Sequence, residues 1–487
     1  MITMHNLKIG ESKSVPRVWL EGSSLEFGGL QIGSTYAIDK LEPHRIELRR
    51  VSAGHKGQTF LVSQRTRGRV RPLMEIRSNK LRESFEHIEK VTVTLHDGSI
   101  VITANRLDVN MVRRALSLLN TFSRGQELSA MSVFHGGGVL DLAMHDGLTA
   151  EGVPVYVKAA VEMEDKYLAS SLRNNTKLWR DSSVAVHSDI RHVDWPALGE
   201  SNLFWGGIPC TGASISGRSK NKLKAAEEHV DAGALFMDFL DGVKSSNAAI
   251  VGFENVPEYQ STVSMMLLRA KLDTLGYDLY EMVLDGNTFG AVERRRRLLV
   301  LGVCRSLKTA FDINDVLPVR IKEATLRDIM EPVALDSPRW RERKGIAAKA
   351  IRDKADGKGF APQQLTGDEA HCGTIGKGYA KCRGTEPFLI HPDNPSLLRI
   401  LTPLEHGRAK GIPEGVADGQ SDTTMHEIYG QSVIYPKLKA LGAATGRLIR
   451  EAALKFTSKP VRIVPRRPKA LPAPDMQYDL PGLAASN

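Results

Sequence analysis

Cys210 stands in the stretch Gly206 to Gly217, GGIPCTGASISG, behind Pro209 at the end of a short apolar run, Leu203 to Trp205. A thiol on a small-residue loop stays reachable while the strand before it fixes its place, which suits a nucleophile better than a structural cysteine. Further on, AIVGFENVPEY closes a second apolar run with the acid Glu254. A cysteine and a carboxylate delivered from the ends of two neighbouring strands make a reaction centre of nucleophile and proton carrier; either alone is bland. Glycines 136 to 138 follow the run SVF and suit a nucleoside cofactor approaching the backbone at a helix start. Glu162 closes the next run and is placed to take ribose hydroxyls. Asp189 and Ile190 offer adenine one polar contact and one apolar face. Each of these acids is equally what a capping residue at a strand end looks like.

The elements that must hold these residues read as strand, turn and helix repeated from about 130. SVFHGGGVLDLAMHDG, PVYVKAAVE, SVAVHSDI, LFWGG, AIVGFE, LYEMVL and RLLVLGV are the strand-bearing stretches. Strands alternating with helices specify an α/β, doubly wound, mainly parallel sheet whose ligands lie beyond the carboxyl ends of the strands. Residues 304–398 break the rhythm with Pro, Gly and mixed charge and read as an inserted lobe that carries recognition. Regular structure returns over 399–457 with LLRILTPLEHGRAKGIP and a last helix, and the Pro-rich stretch 458–487 reads as disordered. Before the core, 106–129 reads as a helix (Val109, Val112, Ala115, Leu116, Leu119) followed by a linker, TFSRGQELS.

Residues 1–105 read as a small, mainly-β domain with a faint internal repeat. PRVWLEGSSLEFGGLQIG, from Pro16, aligns with PLMEIRSNKLRESFEHIE, from Pro72, setting Leu20 over Ile76, Leu25 over Leu81 and Ile32 over Ile88. HDGS at 96 to 99 reads as a hairpin turn. The pattern resembles two swapped-hairpin units of the AbrB-like DNA-binding barrel fused in one chain; a β domain that packs on its neighbour and binds nothing fits it as well. The arginines of SQRTRGRVR either track phosphates or form a solvated loop.

The chain has 487 residues, 41% of them hydrophobic, enough for two or three domains with real cores. A net charge of +10 favours a polyanionic partner, and nucleic acid precedes acidic membrane because no basic amphipathic anchor is evident. Cysteines at 210, 304, 372 and 382 are too scattered for a disulfide framework, and Cys372 with Cys382 lacks two further ligands for zinc. With no signal-like or membrane-spanning run, the expected location is cytoplasmic, in a prokaryotic or phage-infected cell.

The order of motifs across roughly 130–457 resembles the DNA cytosine-5 methyltransferase family. FHGGG is similar to its cofactor loop, Glu162 to its ribose acid with Asn174 beyond, and Asp189 to its adenine acid. PCTGASISG is similar to the nucleophile motif, FENV to the ENV motif, FGAVERRRRLLVLG to the QxRxR motif, and RILTPLE and YGQSV to the two closing motifs. The resemblance implies a class I methyltransferase fold, S-adenosyl-L-methionine as methyl donor and double-stranded DNA as partner. It implies cofactor contacts from Phe134, Gly136, Gly138, Glu162, Met163, Asp189, Ile190, Pro209, Gln431 and Ser432. Cys210 would add to carbon 6 of cytosine, Glu254 would hold or protonate ring nitrogen 3, and Arg295 would contact the base oxygen. Arg297 would brace a loop through a partner acid. Ser216, Arg218 and Lys220, in the loop after Cys210, would meet DNA, and residues 304–398 correspond to the family's variable recognition region, with GTIGKGYAKCRG similar to a piece found there.

Three positions depart from the pattern. Glu293 replaces the Gln of QxRxR and is expected to bring a negative charge near DNA; Gln431 replaces the Asn of GNSV beside the donor pocket; Ala213 replaces a frequent aromatic. Two other readings stand beside the first: an RNA cytosine-5 methyltransferase of the same fold acting on transfer RNA, and a DNA-binding regulator that uses the N-terminal repeat.

Overall fold

The computed structural model describes residues 1–52, 54–65, 70–209, 233–357 and 362–457. Alternating burial in the first hundred residues produces nine strands: β1 (Thr3–Lys8), β2 (Gly10–Ser12), β3 (Val15–Glu21), β4 (Thr35–Glu42), β5 (Arg45–Val51), β6 (Thr59–Arg65), β7 (Arg71–Arg77), β8 (Lys90–His96) and β9 (Ser99–Ala104). They form one antiparallel sheet in the order β1-β8-β9-β5-β4-β6-β7-β3-β2. The repeat is visible in it. Helix α1 (Ser24–Phe27) follows β3 as helix α2 (Asn79–Ser84) follows β7, and each helix leads to a hairpin, β4–β5 or β8–β9.

The two copies face each other as a two-fold axis requires. β3 pairs antiparallel with β7 so that Trp19 stands opposite Glu75, the same separation as between Pro16 and Pro72. On β5 and β9, Ile46 lies opposite Ile102 and Leu48 opposite Ile100, the crosswise arrangement of two equivalent strands. Leu20, Ile76, Leu25, Leu81 and Ile88 share one core, whereas Ile32 is exposed. The turn at Asp97 and Gly98 closes β8 onto β9, with Gly98 at φ 72°.

Helix α3 (Arg106–Ser123) leads into the second sheet, and the expected linker is absorbed: the helix runs through Thr121 to Ser123 and the next strand starts at Leu128. This sheet holds β10 (Leu128–Val133), β11 (Val155–Glu162), β12 (Val184–His187), β13 (Leu203–Gly207), β14 (Ile250–Asn255), β15 (Tyr277–Asp285) and β16 (Arg296–Cys304). Its order is β12-β11-β10-β13-β14-β16-β15, parallel from β12 to β14, with β16 antiparallel to both of its neighbours. From β10 the chain moves outward to β11, then crosses to β13 on the other side. That reversal opens a crevice at the carboxyl ends of β10 and β13, where open α/β sheets bind ligands.

Helix α4 (Val139–Ala150) covers one face together with the last helix, α10 (Tyr435–Thr457); the numbers between them belong to α5 (Asp165–Asn174), α6 (Leu235–Ser246), α7 (Val263–Thr274), α8 (Pro403–Ala409) and α9 (Asp422–Gln431). α4 and α10 meet through Gly147 and Gly442, where a Cβ on either would collide with the opposing backbone. Inside 304–398 the structure holds more order than the sequence suggested: a helix, Lys344–Ala355, and a four-stranded sheet of β17 (Arg341–Glu342), β18 (Gln363–Leu365), β19 (Pro387–Ile390) and β20 (Leu397–Arg399), in the order β17-β20-β19-β18. Among the described residues no helix is long and apolar enough to cross a membrane.

Candidate active site at the carboxyl ends of the parallel strands

At the end of β10 the backbone turns through Phe134 (φ 54°), Gly136 (φ 58°) and Gly138 (φ 77°), and Gly138 caps α4. A Cβ on Gly138 would run into Ser171, so that turn requires glycine. A buried network lies beneath it. Asp141, in the first turn of α4, accepts Ser132 Oγ at 2.8 Å and Trp205 Nε1 at 2.7 Å, and its Oδ2 is 2.8 Å from His135 Nδ1. His135 Nε2 meets Ser171 Oγ at 2.7 Å. One acid therefore ties together β10, the glycine loop, α4 and β13. Glu162, at the end of β11, accepts the Gly136 N–H at 2.6 Å and the Glu164 N–H at 3.0 Å.

Met163 beside it is exposed and Ile190 is buried. Asp189 caps a short turn and is bound on both oxygens by Arg191, whose hydrogen bonds hold its carboxyl down, to about 2. Asn174 reaches the carbonyls of Val416 at 3.2 Å and Asp418 at 3.1 Å, tying α5 to the segment that precedes α9. Gln431, the last residue of α9, brings its amide to the glycine loop: its Nε2 is 3.3 Å from where a Cβ on Gly136 would lie, and this buried nitrogen has no hydrogen-bond partner among the described residues. Ser432 is buried and donates to Ile428 O at 2.6 Å.

Across the crevice, β13 and β14 run in register with Gly207 opposite Glu254. Asn255 Nδ2 donates to Ile208 O at 3.2 Å, tying the start of the nucleophile loop to β14. Pro209 is half-buried and ends the described segment; Cys210, Ala213, Ser216, Arg218 and Lys220 lie outside the described residues. Arg297, on β16, places Nε 3.2 Å from Glu254 Oε1, so the acid that partners this arginine is Glu254 itself. Arg295, just ahead of β16, is buried with Nη1 3.6 Å from Glu293 Oε1.

A family model for C-5 cytosine-specific DNA methylases matches residues 128–447, from the first strand of the second sheet into the last helix. The chain belongs to the C-5 cytosine-specific DNA methylase family. It is 26% identical to the type II methyltransferase M1.ScrFI of Lactococcus lactis subsp. cremoris over 52% of this chain and 64% of that protein. It is 25% identical to the type II methyltransferase M.NlaX of Neisseria lactamica over 57% of this chain and 84% of that protein. In fold it is similar to the crystal structure of the S. pombe Dnmt2 methyltransferase, with a TM-score of 0.52 and 20% identity, covering 68% of this chain and 100% of that one.

The methylase's departure at Glu293 has a different setting from the one expected. Glu293 is not an exposed or isolated charge: it is fully buried and pairs with the equally buried Lys410, Oε2 to Nζ at 2.7 Å. Burial lowers the Lys410 ammonium to about 8 while Glu293 resists. The same carboxylate accepts the Ile375 N–H at 3.2 Å, and the Glu293 N–H donates to Ala409 O at 2.8 Å. Glu293 thus joins the strand that carries Arg295 and Arg297 to the 304–398 region and to the end of α8. Nearby, Arg399 and Glu405 form a fully buried bidentate pair at 2.6 and 2.8 Å.

Sequence reasoning missed the roles of Ser132, His135 and Asp141, and of Lys410. Asp141 left one trace, an acid inside the apolar VLDLAM stretch. Lys410 follows His406 and Arg408 and does not stand out from them.

Proposed function

We propose that this chain transfers a methyl group from S-adenosyl-L-methionine to carbon 5 of a cytosine swung out of double-stranded DNA, through a covalent adduct of Cys210. The observation that supports the reading is the register of β13 and β14, which sets Gly207 opposite Glu254, itself 3.2 Å from Arg297, while β13 also pairs with β10, the strand that runs into the glycine loop.

The donor pocket suits an adenosyl cofactor. Phe134, Gly136 and Gly138 form the turn before a helix start, and Glu162 and Met163, Asp189 and Ile190, and Pro209, Gln431 and Ser432 are the residues that would hold the nucleoside, its adenine and its methyl-bearing end. The unpartnered Gln431 amide is the polar atom such a ligand would satisfy. S-adenosylmethionine, when bound there, supplies an electrophilic methyl group.

The chain's residues do the rest. Cytosine is not nucleophilic at carbon 5, so the Cys210 thiolate adds to carbon 6 and makes an enamine-like ring. Glu254 holds the proton at ring nitrogen 3, draining charge as the sulfur adds. Arg295 steadies the base oxygen, and Arg297 fixes Glu254. Loss of the carbon 5 proton to water, with the C–H electron pair re-forming the ring double bond and Cys210 leaving as the thiolate, releases product. The base must leave its stack, at a cost of a few kcal/mol, and Ser216, Arg218 and Lys220 belong to the loop that would close on it. The inserted 304–398 region would read the target sequence. DNA from cells expressing the protein, sequenced with a cytosine-modification readout, should carry 5-methylcytosine at one short motif, and Cys210→Ala should abolish it. Unmodified DNA at high expression would overturn the reading, and label transferred only to transfer RNA would move it to RNA.

A further inference from the structure

Lys437, in the first turn of α10, is fully buried, and its Nζ has no hydrogen-bond partner among the described residues. Leu438 and Leu441 beside it pack into the core of the catalytic sheet. An unpaired ammonium in such a place costs several kcal/mol that an apolar side chain would not. Buried ionisable groups held at a cost are found where chemistry uses them.

Leu438 and Leu441 line a small internal cavity together with Glu254. The charges that act on Lys437 are Glu254 from the end of β14, Asp285 from the end of β15, Arg295 just ahead of β16 and Arg297 on it. Burial draws its ammonium down to about 7, and Glu254 is the strongest charge that resists. Glu254 Oε1 also lacks a hydrogen bond among the described residues, its contact being the ion pair with Arg297. Glu254 is paired with Arg297, and a guanidinium does not give up its proton. A step that needs a proton on Glu254 therefore has a place for a second donor within the pocket.

We propose that Lys437 is that source, a positioning residue that lends its proton to Glu254 while the base is bound. As sulfur adds to carbon 6, an N–H bond of the ammonium breaks, its electron pair stays on Nζ, and an O–H bond forms on Glu254 through one bridging water. Glu254 shares that proton with ring nitrogen 3, and the proton returns to Nζ when Cys210 leaves. The inference rests on the reading of Glu254 given above.

The test uses the full-length protein, Lys437→Met and Glu254→Gln, with single-turnover methyl transfer to plasmid DNA from pH 5.5 to 9. The wild type should hold its rate through neutrality and lose it at alkaline pH, with an apparent midpoint that belongs to the pair. Lys437→Met should lose its rate at a pH lower by about one unit or more, be about tenfold slower at pH 8, and recover to within about threefold at pH 6, where solvent supplies the proton. Its melting temperature and its affinity for S-adenosylmethionine should not fall. A Lys437→Met profile superimposable on the wild type, or a loss equal at every pH, overturns the proton reserve and leaves the role of Glu254 standing. Full activity in Glu254→Gln overturns that role, and the reserve with it.

Discussion

Beneath the glycine loop, Ser132, His135, Asp141, Ser171 and Trp205 close a buried polar network on itself. On the opposite wall of the crevice, Glu254 Oε1, Arg295 Nε and Lys437 Nζ are buried without hydrogen bonds among the described residues. The first arrangement is rigid because satisfied donors and acceptors in a low dielectric reinforce one another. The second leaves polar capacity for a substrate that arrives with each turnover. Under the proposed reading, the site is a fixed cradle on the donor side and a set of waiting charges on the acceptor side.

Changes to the waiting side should strike rate, and changes to the fixed side should strike stability. The largest effect is expected for Glu254→Gln, which should lower the single-turnover rate by about 10²–10⁴-fold while the calorimetric affinity for S-adenosylmethionine stays within about twofold. Next comes Asp141→Ala, which strands three buried donors at once and should cost about 3 kcal/mol in urea unfolding and weaken cofactor affinity. If it costs nothing, the cradle is not rigid and the comparison fails.

A third change tests whether the charge at Glu293 matters only with its partner. Glu293→Gln and Lys410→Met should each destabilise by about 3 kcal/mol by leaving a buried charge alone, and the double variant should recover more than half of the loss.

The smallest effect concerns pH. The Lys437 ammonium is lowered in the folded state, to about 7, so between there and the ordinary lysine range the unfolded chain holds a proton that the folded chain has released. Stability relative to Lys437→Met should then rise with pH, by about 1.4 kcal/mol per unit across that window. Denaturant unfolding at pH 6, 7, 8 and 9 checks it: the variant should be the more stable protein at pH 6, with its advantage narrowing above pH 7.

Local signals made the catalytic sheet legible. Apolar runs ending in Phe134, Glu162 and Glu254 each mark a strand with its candidate site residue at the carboxyl end, and strand alternation implied the crevice. Pairings distant in sequence stayed hidden. Nothing near Glu293 announces Lys410, and the meaning of the substitution changes entirely once the two are seen at 2.7 Å. The 304–398 region looked irregular because β17 to β20 are two to four residues long, too short to display alternation. The stretch from Thr121 looked like a linker because the last turn of α3 is mostly polar and carries no buried residue beyond Leu119.

The dyad in the N-terminal sheet unites two halves that share a single polypeptide. Their assembly is therefore independent of how much protein is present. A pair of identical subunits must display every surface residue twice, but here the inner positions Leu25 and Leu81 stay matched while Trp19 confronts Glu75 across the axis. Such a module is free to evolve a lopsided exterior around a symmetric interior.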